Sequence, residues 1–140
     1  MSLVGAIQFL NSEVGDLSGI KSAPTSPPEA ANAFPFSICY PASGQLEAEF
    51  AGAKKELHII YLEIHFNRSN LPNAVSLMIP YIPLVSDILI LNPTLSDNVD
   101  TIVATSEQKI IYNVLAVEYA DVPTLCLQFQ VNVKIRSAVV

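Results

Sequence analysis

The chain has 140 residues, 51% of them hydrophobic and only 14% charged, with a formal net charge of −6. That length suits one domain able to bury a core without disulfide or metal staples, and the acidic balance excludes a protein that grips nucleic acid by neutralising phosphates with Lys and Arg. A typical soluble domain carries ~25% charged residues, so this chain is short of polar cover for its surface. Contiguous apolar patches mark contact surfaces, and the composition therefore predicts a subunit of an assembly rather than a monomer with an unusually apolar core.

The seven basic residues are Lys21, Lys54, Lys55, Arg68, Lys109, Lys134 and Arg136, and only Lys54 and Lys55 are adjacent. At the start of the chain Leu3, Ile7, Leu10 and Val14 fall on one face of a short amphipathic helix, with Gly15 and Gly19 bracketing its exit. No basic residue precedes these apolar positions, as a secretory signal would require, so a soluble, intracellular protein is expected. Residues 22–35, SAPTSPPEAANAFP, hold four prolines and read as an extended connector that can drape over a surface.

Alternation then predicts a strand at Phe36, Ile38 and Tyr40, a turn over Pro41–Gly44, and a second strand whose Leu46, Ala48 and Phe50 oppose Gln45, Glu47 and Glu49. Leu57–Phe66 is apolar on both faces and belongs in the middle of a sheet. Ser69 or Asn70 can cap the next helix, with Pro72 just inside it. That helix is expected from Leu71 to Ile79, broken by Pro80 and Pro83 and restarting to about Leu91. The apolar run Leu77–Leu91 is too short to span a bilayer and contains Asp87. Strands follow at Val99–Ala104 and Ile110–Tyr119. In the last strand Leu125, Leu127, Phe129, Val131, Val133 and Ile135 oppose Cys126, Gln128, Gln130, Asn132, Lys134 and Arg136. The expected fold is α+β: a mostly antiparallel sheet of five to six strands packed against an N-terminal helix and a Pro-interrupted central helix, all within one domain, 1–140.

Chemistry is sparse. His58 and His65 are seven apart on one strand and point to opposite faces. Glu63, His65 and Tyr61 do share a face, and a carboxylate–imidazole pair could do acid–base work or bind a metal; the plainer reading is a polar patch on a half-exposed strand or a subunit contact. The segment SDNVD, with Asp97 and Asp100, lacks the spacing, Gly and terminal Glu of a calcium loop and reads as a turn, and Asp121 also lies near a strand end. There is no GxSxG, P-loop or GxGxxG. Cys39 and Cys126 form no metal-binding spacing; two free thiols in a reducing cytosol are the expectation, with a disulfide between them the alternative. No catalytic residue, cofactor site or metal site is expected.

From Gly19 to Ser137 the chain resembles the small neck and tail proteins of long-tailed bacteriophages, the tail terminators and related minor tail proteins. The resemblance rests on GIKSAPTSPPEAANAFPFSICYPASG, ELHIIYLEIHFNRSNLPNAVSLMIPY, LNPTLSDNVDTI and the final VNVKIRS. It implies a non-enzymatic subunit that forms a homo-oligomeric ring, usually a hexamer, at the head–tail junction of the virion. Such a ring caps the tail tube protein and docks onto the head connector and neck proteins. Assembly would take place in the host cytoplasm, with no membrane involved, and DNA would pass through the channel without specific binding. Six copies would carry about 6 × 6 = 36 negative charges, and an acidic lumen would repel the DNA backbone; Glu47 and Glu49 are the candidates for that charge. Another neck or tail-completion subunit of the same fold is the nearest alternative. A tail-tube subunit, an intracellular adaptor dimer, and a small ligand-binding or enzyme domain using Glu63 and His65 stand further off.

Overall fold

The computed structural model describes residues 2–25, 27–30, 33–48, 52–102 and 110–138. The chain runs α1 (Leu3–Gly15), β1 (Phe36–Ala48), β2 (Ala53–Asn67), α2 (Leu71–Met78), α3 (Tyr81–Leu91), β3 (Ile111–Tyr119) and β4 (Val122–Ala138). The fold is α+β, with one open sheet in the order β1-β2-β4-β3, every neighbouring pair antiparallel. The helices pack on one face of that sheet.

The β2–β4 pair forms the middle of the sheet, in unbroken register from Ala53↔Ala138 to Asn67↔Thr124. Ile60, Leu62, Ile64 and Phe66 of β2 meet Leu125, Leu127, Phe129, Val131, Val133 and Ile135 of β4 on the helix side, and all ten are buried. Each large apolar side chain buried in this way contributes about 1.5–3 kcal/mol. A slip of one residue would push Glu63 and His65 into that core instead, so the alternation locks the register. From the helices come Ala6, Leu10 and Val14 of α1, Ala74 and Met78 of α2, and Tyr81, Val85 and Leu89 of α3.

Helix ends follow local chemistry. Ser2 caps α1, its Oγ accepting from Gly5 N at 2.9 Å, and Asn70 caps α2 by accepting from Asn73 N at 3.2 Å. Pro80 stands between α2 and α3, and Pro83 falls in the first turn of α3, where an amide has no helical partner to lose. Taken as one span, Leu71–Leu91 is 21 residues with mean hydropathy 2.0, long and apolar enough to cross a bilayer by length and composition alone. One face of the span lies on the sheet, while Leu77, Ile79, Leu84, Ile90 and Leu91 are exposed on the other.

Among the described residues four strands stand where five to six were expected, for two reasons. Pro41–Gly44 is not a turn: β1 runs straight through, and Ala42 is skipped in the register between Pro41↔Ile60 and Ser43↔Ile59. An edge strand tolerates a proline at such a bulge because no ladder donor is needed there. The expected strand at Val99–Ala104 reduces to a single bridge, Thr101↔Lys134, and residues 103–109 lie outside the described residues. Just before it, Leu95, Ser96 and Asp97 have φ of 48°, 58° and 63°. Three consecutive left-handed residues cost about 1–2 kcal/mol each. Full burial of Leu95, the Asn98 side chain donating to Leu95 O at 2.8 Å, and Ser2 N donating to Asn98 O at 3.0 Å hold the turn in place.

The two ends of the connector are tied together by backbone hydrogen bonds. Lys21 N donates to Pro35 O and Ser37 N to Ser22 O, each at 2.9 Å, so its two ends meet at the β1 edge. From α1, where Asn11 Nδ2 donates to Ala23 O, it passes to the far face of the sheet, and there Tyr119 Oη donates to Pro28 O at 2.5 Å.

The β3–β4 hairpin turns on two residues, Ala120 and Asp121, with φ of 49° and 65°. Both signs are those of a type I′ turn, which favours Asn-Gly. The double replacement Ala120→Asn, Asp121→Gly is expected to relieve about 1 kcal/mol of strain and raise the melting temperature by about 3–5 °C. Calorimetry checks this; an unchanged or lower midpoint contradicts the turn assignment.

Candidate functional site

On the face of the sheet away from the helices, β1 contributes Phe36, Ile38 and Tyr40, and β2 contributes Tyr61, Glu63 and His65. Register brings Cys126 directly opposite His65 and Gln128 opposite Glu63, and sets Leu115 of β3 beside Cys126. A cavity of about 450 Å³ lies here, lined by Glu63, His65, Cys126 and Gln128 together with Tyr40, Ile38, Leu115, Val117, Tyr119 and Pro27 of the connector.

The polar groups form one network. His65 Nε2 lies 2.9 Å from Glu63 Oε1, and Nδ1 lies 2.9 Å from Thr124 Oγ1. Tyr40 Oη donates to Glu63 Oε2 at 2.8 Å and Gln128 Nε2 donates to the same oxygen at 2.7 Å. An Nε2–H donates to an ionised Glu63, while the Thr124 hydroxyl can serve Nδ1 either as donor or as acceptor. The imidazole is stacked on Phe36, with centroids 4.9 Å apart and planes 4° from parallel, and the Tyr119 ring meets its edge at 5.2 Å.

Glu63 is 6% exposed and His65 2%. The half-exposed polar patch expected for this strand is therefore a buried one. Strand alternation alone could not show this, because the cover comes from β1, β3 and the connector. Burial raises the Glu63 carboxyl, but the bonds from His65, Gln128 and Tyr40 outweigh it and hold the group below the usual carboxylate range. The same charge works the other way on its neighbours. Burial and Glu63 push the Tyr40 hydroxyl up, and burial and Glu63 push the Cys126 thiol up. On the helix side, burial pushes the Cys39 thiol up to about 12. Cys39 and Cys126 lie on opposite faces of the sheet and are both free.

Three of these side chains, Glu63, His65 and Cys126, place their ligating atoms within 4.8 Å of one another. The sequence signalled Glu63 and His65 through their shared face, with Tyr61. Tyr61 instead packs edge-on against Tyr40 at 5.9 Å and is not among the residues lining the cavity. Cys126, Gln128, Thr124 and Tyr40 join the site only through strand register, which a single sequence does not display.

The other marked residues lie elsewhere. His58 contacts Glu56 at 3.2 Å near the far end of β2. Glu47 stands exposed at the end of β1 and pairs with Lys55 at 3.1 Å, while Glu49 lies outside the described residues. Asp97 sits in the left-handed turn, its amide donating to Thr94 Oγ1 at 3.3 Å, and Asp121 is in the β3–β4 turn. No protein-family model matches the chain, and no curated protein sequence matches it.

The depressed carboxyl sets a pH dependence. A group held below its unfolded value stabilises the fold above that value and loses the contribution as pH falls through the folded one. Wild type is therefore expected to lose more stability than Glu63→Gln between neutral pH and about pH 3 in urea titrations. Parallel losses would show that Glu63 is not held ionised by this network.

Proposed function

We propose that the chain is a ring-forming structural subunit of the head–tail junction of a long-tailed phage, capping the tail tube and joining it to the head connector as a tail terminator. The observation that carries this reading is β3. It is an edge strand, and among the described residues nothing pairs with its outer side. Its faces are apolar and open, with Ile111, Tyr112, Val114 and Leu115 each more than a third exposed. A long, apolar, uncovered edge is an aggregation hazard unless a partner completes it.

The other edge of the sheet supports the same reading. β1 is exposed from Pro41 to Ala48, beyond the point where Ser22 bridges to Phe36. One copy's β3 and the next copy's β1 are different surfaces, as a head-to-tail contact requires, and such contacts form a ring where the rotation between copies closes. The exposed apolar side of α2 and α3 offers a second surface for a tail or neck partner. The resemblance of residues 19–137 to phage neck and tail proteins points the same way, and a neighbouring neck or tail-completion role on this fold would use the same surfaces.

A ligand-binding or enzymatic domain built on Glu63 and His65 draws support from the cavity beside them. Against it, the Glu63 oxygens already accept from His65, Tyr40 and Gln128, which fixes the charge in place rather than presenting it to a substrate.

Light scattering after size exclusion tests the assembly. Wild type is expected to elute at a multiple of 15.1 kDa, Val114→Lys as single chains that remain folded by circular dichroism, and Glu47→Lys with Glu49→Lys at the wild-type mass but retaining duplex DNA at low salt. Monomeric wild type, association of wild type only with lipid vesicles, or an unaltered mass in Val114→Lys would overturn the reading. Unchanged DNA retention would remove Glu47 and Glu49 as lumen charges.

A further inference from the structure

We propose that Glu63, His65 and Cys126 form a binding site for a divalent transition-metal cation of the zinc class. The three residue types are those that zinc selects: one carboxylate oxygen, one imidazole nitrogen and one thiolate sulfur. Their ligating atoms lie within 4.8 Å of one another. Bonds of about 2.0–2.3 Å at tetrahedral angles place ligand atoms about 3.3–3.8 Å apart. The 2.9 Å contact between His65 and Glu63 would open by about 0.4 Å, and the widest separation, within 4.8 Å, would close by about 1 Å. Both are side-chain adjustments on two strands whose backbone register is fixed.

The surroundings are those of a supported site. Metal-bound imidazoles donate their other ring N–H to a fixed acceptor, and here His65 Nδ1 faces Thr124 Oγ1, a fully buried hydroxyl. A hydroxyl can act either way. It donates to Nδ1 when Nε2–H is bonded to Glu63, and accepts from Nδ1–H when Nε2 turns its lone pair to a metal. Glu63 keeps its second oxygen bonded to Tyr40 and Gln128, and Oε1, which faces His65 Nε2 in the metal-free protein, would coordinate once Nε2 turns its lone pair to the metal. Phe36 and Tyr119 hold the imidazole plane.

Charge also balances. Carboxylate, thiolate, neutral imidazole and a dication sum to zero, which suits a buried position. In the metal-free protein the sulfur keeps its proton; on binding, that proton leaves to solvent and one metal–sulfur bond forms, so affinity rises with pH. Three protein ligands leave a fourth position, which opens onto the cavity beneath Pro27. The connector, tied down where Tyr119 donates to Pro28 O, is the cover that a cation would pass. The site therefore fixes β2 to β4 beneath the connector and is independent of ring assembly.

Cobalt(II) titrated into the chelator-stripped full chain is the probe, read by the near-ultraviolet thiolate-to-cobalt charge-transfer band and the visible bands of tetrahedral cobalt. Wild type and Cys39→Ser should bind one cobalt per chain with both signatures, and zinc should displace it. Cys126→Ser should lose the charge-transfer band while keeping its fold by circular dichroism. Gln128→Ala, which leaves all three ligands intact, should keep the bands with affinity weakened about tenfold or more. No band in wild type, a band that persists in Cys126→Ser, or a band lost in Cys39→Ser would overturn the site.

Discussion

The register of β2 against β4 is the constraint from which the rest of the molecule follows. It fixes which ten side chains form the floor of the core on one side and, by the period of two, which polar groups share the other. The same register that buries Ile64 against Leu127 sets His65 opposite Cys126 and Glu63 opposite Gln128. Core and site are thus two readings of one pairing. A shift in either strand would destroy both, so the apolar alternation of β4 positions a polar network it does not itself contain.

That division also explains where the stabilising cover comes from. The helix side is closed by α1, α2 and α3, each contributing apolar side chains to one cluster. Among the described residues, no helix lies on the far side. It is closed locally by the connector, by aromatic rings from β1 and β3, and by hydrogen bonds that satisfy Glu63 from three directions. Beyond this covered patch, β3 and the distal part of β1 are left open at opposite edges of the sheet. An apolar chain with few charges is what such a half-finished surface requires if a second copy completes it.

Much of this was legible in the sequence. The α1 stripe, the alternation of β4 and the shared face of Glu63 and His65 are local patterns, and each survives in the structure. Pro41-Ala-Ser-Gly44 has turn composition, but the long β2 ladder carries β1 past it as a bulge, so tertiary pairing overrode local chemistry. Val99–Ala104 has strand composition, but its described part, residues 99–102, follows directly on the left-handed turn at Leu95–Asp97 and makes one isolated bridge, Thr101↔Lys134. The burial of Glu63 and the approach of Cys126 depend on long-range register and on a loop that crosses the sheet. Neither leaves a local trace in the chain.

The central claim is that the open edges of one copy are completed by the next. Negative-stain imaging of the purified protein at micromolar concentration tests it most directly. The account predicts closed rings of uniform diameter with a central hole. A uniform field of particles the size of one chain would contradict it, as would open fibres without closure.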